Sequence, residues 1–323
     1  MSIMRHIFCG ILTVCLCIAL AGCFQKTTDS QTSTPAATQN TERTEPTTET
    51  ATEPMTVPSQ EDTQPEETVL PVLPISHNDG DFVLVTDYIP DIAVELKYGT
   101  TDNFTGEVIY DFHDAYLRYG TVVKLMAVQE ELREMGLSLK IWDGFRPVSA
   151  QWKLWQVYPD PNYVSHPKTG RRTHCRGNTV DVTLVDAEGR ELEMPTLFDD
   201  FSHQADRNYS DCTEEAAANA ILLQEVMKKY GFSGIQSEWW HFADDTDYPV
   251  EEDFTPINCA WWYADCEEFI NLRCEPDVNA ESIAQIPAGE VFRVLGWYDQ
   301  FALAEYMGQA GYVNRDYISQ CPE

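Results

Sequence analysis

The sequence predicts an α+β domain with helices and a mainly antiparallel sheet at residues 75–255, followed by a small all-β barrel at residues 256–323. Two observations predict this arrangement. Helical segments are twice followed by strand-like segments before residue 255, whereas short β-type runs separated by turn residues fill the rest of the chain. This pattern is typical of an α+β domain joined to a second, all-β domain.

The α+β domain contains two units in which a helix precedes a strand. In the first unit, apolar residues three and four positions apart at 122–132 predict a helix that ends at Gly136, and residues 137–141 then alternate between apolar and polar. In the second unit, Thr213 can cap a helix, and the aromatic-rich segment 237–242 follows it. Both units fit the α+β class.

Short β-type runs after residue 256 predict the small barrel. Turn residues separate these runs, which lie at 269–272, 291–295, 301–306 and 311–313. The run 270–276, together with the later 311–313, resembles bacterial SH3-like domains, which often attach enzymes to cell-wall material. The resemblance implies peptidoglycan as a partner, although the barrel could instead only pack on the preceding domain.

The first 23 residues have the pattern of a lipoprotein signal peptide. Arg5 precedes an apolar stretch at 7–20, which is too short for a comfortable membrane span, and Leu-Ala-Gly-Cys follows at 20–23. Small residues before a cysteine are typical of a lipid attachment site. The sequence therefore predicts a signal peptide at 1–22, a lipidated Cys23 and an extracytoplasmic protein anchored to the bacterial membrane. An ordinary signal peptide or a core helix is the alternative.

Composition indicates a non-globular segment and excludes one class of partner. Residues 23–74 consist largely of Thr, Glu, Gln, Pro and Ser, so they cannot bury enough apolar surface to offset chain entropy and are expected to form a flexible stalk. The whole chain has a formal net charge of -32 and a pI near 4.3. A surface this acidic repels polyanions, which argues against nucleic acid as a partner.

The cysteine content indicates disulfides. An even number of cysteines outside the cytosol is typical of disulfide-bonded proteins, and 15 pairings of six cysteines are open from sequence alone. The six that follow Cys23 are Cys175, Cys212, Cys259, Cys266, Cys274 and Cys321. Because they divide between the two domains, the sequence predicts a bridge between Cys175 and Cys212, with the last four paired among themselves.

Two separated segments carry residue types that bind metals. His174 and Asp181 are separated by six residues, and Gly177 permits a turn between them, so an imidazole and a carboxylate could meet on one zinc ion. The second segment contains Glu238 and His241 within a run of large aromatic residues. Together the segments form a candidate metal site, whereas either one alone is a weak signal.

The expected division of roles follows from zinc chemistry. Three protein ligands, His174, Asp181 and His241, would leave the fourth tetrahedral position of one zinc per chain to water. Glu238 would then act as the base that accepts a proton from that water. Residues three apart face opposite sides of a regular strand, so Glu238 and His241 can approach one ion only at a bulge or a strand end.

A third element displays an arginine. The predicted strand ends in a turn at 142–147, which contains Arg146. A guanidinium group keeps its proton, so Arg146 suits the stabilisation of the oxyanion that forms during attack on a carbonyl. Taken alone, an ion pair at the surface or at the edge of the core would explain this arginine equally well.

Several spaced motifs together resemble the zinc D-alanyl-D-alanine dipeptidases related to the vancomycin-resistance dipeptidase. These motifs lie within residues 91–242, at 96–98, 102–106, 143–147, 174–181, 198–199 and 238–241. The resemblance implies zinc as the cofactor and D-Ala-D-Ala as the substrate. The roles that it implies are zinc ligands for His174, Asp181 and His241, catalytic base for Glu238, and transition-state stabiliser for Arg146.

The same resemblance extends to the substrate pocket. It implies that Tyr98 and Asp199 line the pocket and that Asp199 receives the free ammonium group of a dipeptide. Cys175 beside the first ligand and the added C-terminal barrel depart from the family pattern, so the resemblance extends to the metal site but not to the rim of the pocket.

Two other functions are open from the sequence. A zinc D,D- or L,D-carboxypeptidase that trims peptidoglycan stem peptides would use a similar set of His, Asp and His ligands. A non-catalytic lipoprotein that binds the cell wall would use the barrel and the stalk, but the presence of Glu238 argues against this alternative.

Overall fold

The computed structural model describes residues 75, 77–161 and 163–322. The predicted signal peptide, the lipidation site Cys23 and the predicted stalk lie outside the described residues. Within the described part of the chain, no helix has both the length and the apolar composition needed to cross a membrane.

The N-terminal part of the described chain combines four helices with seven strands, which confirms the prediction of mixed α and β structure. The strands are β1 (Phe82–Leu84), β2 (Ala93–Val94), β3 (Tyr116–Arg118), β4 (Leu137–Asp143), β5 (Thr179–Asp186), β6 (Phe232–Ile235) and β7 (Glu238–Asp244). The helices are α1 (Val85–Tyr88), α2 (Tyr119–Glu134), α3 (Val148–Val157) and α4 (Glu214–Lys229). Short 3-10 turns lie at Lys97–Gly99, His174–Arg176 and His203–Ala205.

A five-stranded sheet forms the centre of this part. Its strand order is β2-β4-β5-β7-β6, and every pairing is antiparallel except that of β2 with β4. The sheet is therefore mainly antiparallel, as predicted. Seven of the eight residues of β5 are buried, because β5 lies in the middle of the sheet and both of its faces are covered.

The two long helices, α2 and α4, show the apolar face and the N-terminal cap that the sequence predicts. Val122, Leu125 and Leu132 of α2 are fully buried, and α2 packs against β4. Thr213 caps α4, because its hydroxyl accepts a hydrogen bond from the amide of Ala216 at 3.1 Å. These contacts confirm the predicted cap and three of the four apolar residues predicted for α2, whereas the fourth, Met126, is exposed.

The C-terminal part is all β, as predicted. Its strands are β8 (Phe254–Ala264), β9 (Phe269–Arg273), β10 (Ser282–Pro287), β11 (Val291–Tyr298), β12 (Phe301–Tyr306), β13 (Gln309–Asn314) and β14 (Ile318–Gln320), with a 3-10 turn at Arg315–Tyr317. They form one antiparallel sheet in the order β10-β9-β13-β12-β11-β8-β14. Among the described strands no pairing joins the edges β10 and β14, so the predicted closed barrel is not found.

The predicted disulfide bridge between Cys175 and Cys212 is wrong, because all six cysteines in the described part are free thiols. Cys175 is fully buried, and burial raises the pKa of its thiol to about 11. The Cys212 sulfur is partly exposed just before α4 and contacts the carbonyl oxygen of Tyr209 at 3.6 Å. The prediction rested on the even number of cysteines, which carries no information on where each sulfur lies. Cys175 is in the core, whereas Cys212 is near the surface.

Candidate active site

Two central strands and one turn bring the predicted metal ligands together. Asp181 in β5 lies directly opposite His241 in β7 in the strand register. His174 comes from the 3-10 turn before β5, which ends at Gly177 with a φ of 75°. A Cβ atom at Gly177 would lie 2.5 Å from the ring of Phe82, so both the backbone conformation and the close packing require glycine at this position.

The three predicted ligands form a compact, buried group. Nε2 of His174 lies 3.3 Å from an Asp181 oxygen and 3.3 Å from Nδ1 of His241, and that Nδ1 lies 3.0 Å from the other Asp181 oxygen. One ligand atom from each residue lies within 4.8 Å of the others, and in the described part of the chain no other group of three such residues does so. This donor set, with two imidazoles and one carboxylate, fits zinc.

The tautomer of His174 also fits a metal ligand. Its Nδ1 lies 2.9 Å from the backbone carbonyl oxygen of Gly144, which can only accept a hydrogen bond. Nδ1 must therefore carry the proton, and the lone pair of Nε2 faces Asp181 and His241. A hydrogen bond of this kind fixes the orientation of a metal-binding imidazole.

The electrostatics of the group favour positive charge at its centre. Burial raises the pKa of Asp181, but attraction and hydrogen bonds from His174 and His241 outweigh burial and hold that pKa well below its usual value. Burial lowers the pKa of His174, but Asp181 and Asp143 outweigh it and raise the pKa above its usual value. A divalent cation would supply the positive charge that these carboxylates attract.

Glu238 lies beside this group and is separate from it. It is the first residue of β7, where the pairing with β6 shifts register between Gly234 and Ile235. This strand end lets its carboxylate lie 3.7 Å from Nδ1 of His241 in spite of the three-residue spacing. Burial is the largest influence on Glu238 and raises the pKa of its carboxyl group. A carboxylate adjacent to the ligands is well placed to act as a base.

Arg146 is held at the site by a buried network. Its guanidinium group donates to Asp143 at 2.5 Å and to Gln151 at 3.0 Å, and its Nε donates to the Tyr110 hydroxyl at 3.2 Å. Burial lowers the pKa of Arg146, but Asp143 and the nearby phenols outweigh burial and raise it well above its usual value. Arg146 is therefore a fixed cation beside the ligand group.

The two predicted pocket residues contact each other. The Tyr98 hydroxyl donates a hydrogen bond to Asp199 at 2.9 Å. Asp199 has a φ of 57°, in the left-handed region that aspartate and asparagine adopt more often than most other residues with a side chain. Burial, with a further contribution from Asp181, raises the pKa of Asp199 well above its usual value. An ammonium group bound in the pocket would favour the charged form of this carboxyl group.

All the predicted site residues in the described part of the chain line one cavity of about 480 Å³. They are Tyr98, Arg146, His174, Asp181, Asp199, Glu238 and His241. Cavities of this size are typical of small-molecule sites in enzymes. The sequence motifs therefore converge on one pocket, although they are spread over more than 140 residues.

Two residues that support the site were not assigned roles from the sequence. Asp143 is fully buried, accepts hydrogen bonds from Tyr110 and Arg146, and lies 3.4 Å from Nδ1 of His174. Arg207 donates to the backbone oxygens of Ile235 at 2.8 Å and His241 at 2.9 Å, so it ties the two sides of the β6–β7 hairpin together. Asp143 belongs to the motif at 143–147 and could have been identified from the sequence, whereas Arg207 lies in no motif that was recognised.

Comparison with known proteins agrees with this geometry. Residues 78–259 match the M15 peptidase family described as D-ala-D-ala dipeptidase. Relatives named D-alanyl-D-alanine dipeptidase occur in Escherichia coli, at 37% identity over 166 residues, and in Streptomyces coelicolor, at 32% over 191 residues. The matches cover 51% of this chain in both cases, and 86% and 91% of the respective relatives. A further relative of that name, from Enterococcus faecalis, is 28% identical over 190 residues, which cover 52% of this chain and 94% of the relative. The chain belongs to the D-Ala-D-Ala dipeptidase family of M15 peptidases.

Proposed function

We propose that this protein is a zinc-dependent dipeptidase that hydrolyses D-Ala-D-Ala to two molecules of D-Ala. The single observation that carries the proposal is the buried group of His174, Asp181 and His241 with Glu238 beside it in one cavity. The names of the relatives support the choice of substrate.

The residues of the cavity account for the chemistry of peptide hydrolysis. Zinc held by the three ligands would lower the pKa of a bound water to about 7 and polarise the scissile carbonyl. Glu238 accepts the proton of the attacking water as the C–O bond forms, and passes it to the leaving amine when the C–N bond then breaks. Arg146, held by Asp143, stabilises the negative charge that develops on the carbonyl oxygen.

Asp199 accounts for a preference for a dipeptide over a longer chain. Its carboxylate lies on the wall of the same cavity, where it can pair with the free ammonium group of the substrate. A longer peptide carries an amide at that position and offers no charge to Asp199. Tyr98 holds the Asp199 side chain in place through its hydroxyl group.

N-acetylation of the dipeptide tests this role of Asp199. We expect N-acetyl-D-Ala-D-Ala to have a kcat/KM about 10²-fold below that of D-Ala-D-Ala, because a buried carboxylate loses its charged partner. Asp199→Asn should lower kcat/KM for the free dipeptide and leave the acetylated compound nearly unchanged. Asparagine tolerates the positive φ at this position, so the substitution tests charge and not conformation. Released D-Ala is measured for both substrates.

The same assay separates the proposed activity from its closest alternative. A pentapeptide ending in D-Ala-D-Ala is included as a third substrate. Faster release of D-Ala from the pentapeptide than from the free dipeptide would contradict the dipeptidase proposal and favour a zinc D,D- or L,D-carboxypeptidase.

We also propose that the enzyme acts at the cell envelope. In this proposal residues 1–22 are a signal peptide, Cys23 carries a lipid, residues 23–74 form a stalk, and the peptidase domain spans 75–255. The Leu-Ala-Gly-Cys motif at 20–23 and the low apolar content of the stalk support this organisation. The lipid would hold the peptidase at the membrane surface, and the stalk would let it reach into the cell wall.

Cys23→Ser tests the membrane anchor. We expect the protein made in a bacterial host to incorporate a palmitate analogue and to sediment with membranes, and Cys23→Ser to do neither. Cys17→Ser, inside the predicted signal peptide, is the matched control and should behave as the wild type. Membrane association of Cys23→Ser equal to that of the wild type would refute the lipid anchor.

The C-terminal residues 256–323 are proposed to be an SH3-like domain that contacts peptidoglycan. The all-β composition and the motif at 270–276 support the assignment. A groove of about 900 Å³ on this sheet supports a binding role, and aromatic side chains that line it are Phe269, Phe301 and Tyr317. Aromatic side chains in an open groove offer apolar area to a ligand.

A further inference from the structure

The C-terminal sheet packs directly on the catalytic part through a shared apolar cluster. The catalytic part contributes Phe82, Leu84, Tyr116 and Phe145, and the C-terminal sheet contributes Phe254, Leu295 and Leu303. The family match ends at residue 259, so most of this sheet lies beyond the region shared with the relatives. Phe254 lies inside the matched region, at the start of the first strand of this sheet, whereas Leu295 and Leu303 lie beyond it. The cluster therefore joins the C-terminal sheet to the part of the chain that matches the family.

Phe254 is the member of the C-terminal sheet that stacks on Phe145, the residue directly before Arg146. Its ring stacks on Phe82 at 4.7 Å and on Phe145 at 5.6 Å between ring centroids, and Phe82 and Phe145 contact each other at 4.5 Å. Phe145 and Phe254 are almost completely buried. Without Phe254, one side of this aromatic group would lose its packing partner, and neighbouring side chains would have to shift to fill the space.

Phe145 lies between two residues of the active site. Gly144 precedes it and accepts the hydrogen bond that fixes the ring of His174. Arg146 follows it, and the Arg146 amide donates to the backbone oxygen of His174 at 3.3 Å. A movement of the Phe145 ring would therefore move the turn that carries Arg146.

A second contact from the same segment reaches the turn that carries His174. The amide of Glu251 donates to the backbone oxygen of Cys175 at 2.8 Å, and its carboxylate pairs with Arg118 at 3.3 Å. Arg118 in turn donates from its Nε to the backbone oxygen of Arg176 at 3.0 Å. The chain leading into the C-terminal sheet is thus bonded to the back of the His174–Arg176 turn.

We propose that the C-terminal sheet is a positioning element of the active site, in which Phe254 holds Phe145 and thereby fixes Arg146 in its working position. This inference rests on the proposed function for its kinetic test. Interiors are close-packed and transmit displacement, and a displacement of about 1 Å at a catalytic group can cost about 10²-fold in rate. The sheet then has a role in catalysis that is separate from any binding of residues 256–323 to the cell wall.

Phe254→Ala tests the proposal, with Phe292→Ala as its matched control. Phe292 is equally buried in the C-terminal sheet but belongs to a cluster made only of residues from that sheet. Both variants should lower Tm. Only Phe254→Ala should lower kcat for D-Ala-D-Ala, by about 10- to 10²-fold, with KM and zinc content little changed. Phe254→Leu, which keeps part of the packing, should lower kcat by less than Phe254→Ala does. If Phe254→Ala does not fold, Phe254→Leu is compared with Phe292→Leu, and equal kcat values in that pair would overturn the proposal.

A double-mutant cycle shows whether Phe254 acts through Arg146. In the Arg146→Ala background, Phe254→Ala should have little further effect on kcat, because the group that it positions is absent. Equal losses of kcat in Phe254→Ala and Phe292→Ala would overturn the proposal, as would fully multiplicative effects in the cycle.

Hydrogen exchange provides a readout that does not depend on turnover. The amides of Phe145 and Arg146 are bonded to backbone oxygens of Tyr116 and His174. Exchange in the segment 143–147 should be faster in Phe254→Ala than in Phe292→Ala, because local opening becomes easier. Equal exchange in the two variants would overturn the proposal, whatever the substrate of the enzyme is. Failure of the wild type to hydrolyse D-Ala-D-Ala would overturn only the proposed function.

Discussion

Replacing Glu238 with glutamine is expected to lower kcat for D-Ala-D-Ala by about 10²–10⁴-fold while one zinc ion per chain is retained. The three ligand residues contact one another without Glu238, so the metal does not need its carboxylate. Glutamine has nearly the same shape but cannot accept the proton of the attacking water. Zinc content by elemental analysis and steady-state release of D-Ala measure the two effects separately.

The control for this substitution is Glu225→Gln, at an exposed position on α4, which should leave both zinc and kcat unchanged. Glu238→Gln should still bind a phosphinate analogue of D-Ala-D-Ala, because that compound needs the metal and Arg146 but no base. Should Glu238→Ala lose zinc while His241→Ala keeps it, the two residues would have to exchange roles.

Replacing Asp181 with alanine is expected to abolish tight zinc binding and, with it, turnover. Asp181 is the only carboxylate in the ligand group, and its two oxygens contact both imidazoles. Zinc present at 100 times its Kd stabilises a folded protein by about 2.7 kcal/mol, which is about 5–10 °C in Tm for a domain of this size. The wild type should therefore lose about that much Tm on chelation, whereas Asp181→Ala should show no change.

An exposed aspartate provides the matched control. Asp211→Ala should keep the zinc-dependent Tm shift and full activity, because Asp211 lies at the surface outside the cavity lining. Full zinc content together with full activity in Asp181→Ala would show that the ligand assignment is wrong.

The sequence by itself determined the class of fold and the candidate site. The faces of α2 and the cap at Thr213 follow from residues close together in the chain, because helix periodicity and capping are local properties. The motifs around His174 and Glu238 could be recognised for the same reason, since each carries several constrained residue types within a short stretch. That the two motifs form one site was predicted from metal chemistry and from the resemblance. In the fold, residues of both motifs line the same cavity.

Only the tertiary structure decided the contacts between distant segments. The bonds of Asp143 to Tyr110 and Arg146, the separate environments of Cys175 and Cys212, and the open edges of the C-terminal sheet all depend on how elements pack. The stacking of Phe254 on Phe145 joins residues 109 positions apart, and no local periodicity encodes it. Such contacts depend on how side chains from distant segments pack together in the core. The same side chains could pack in several ways, so the partners of each one are known only from the folded structure.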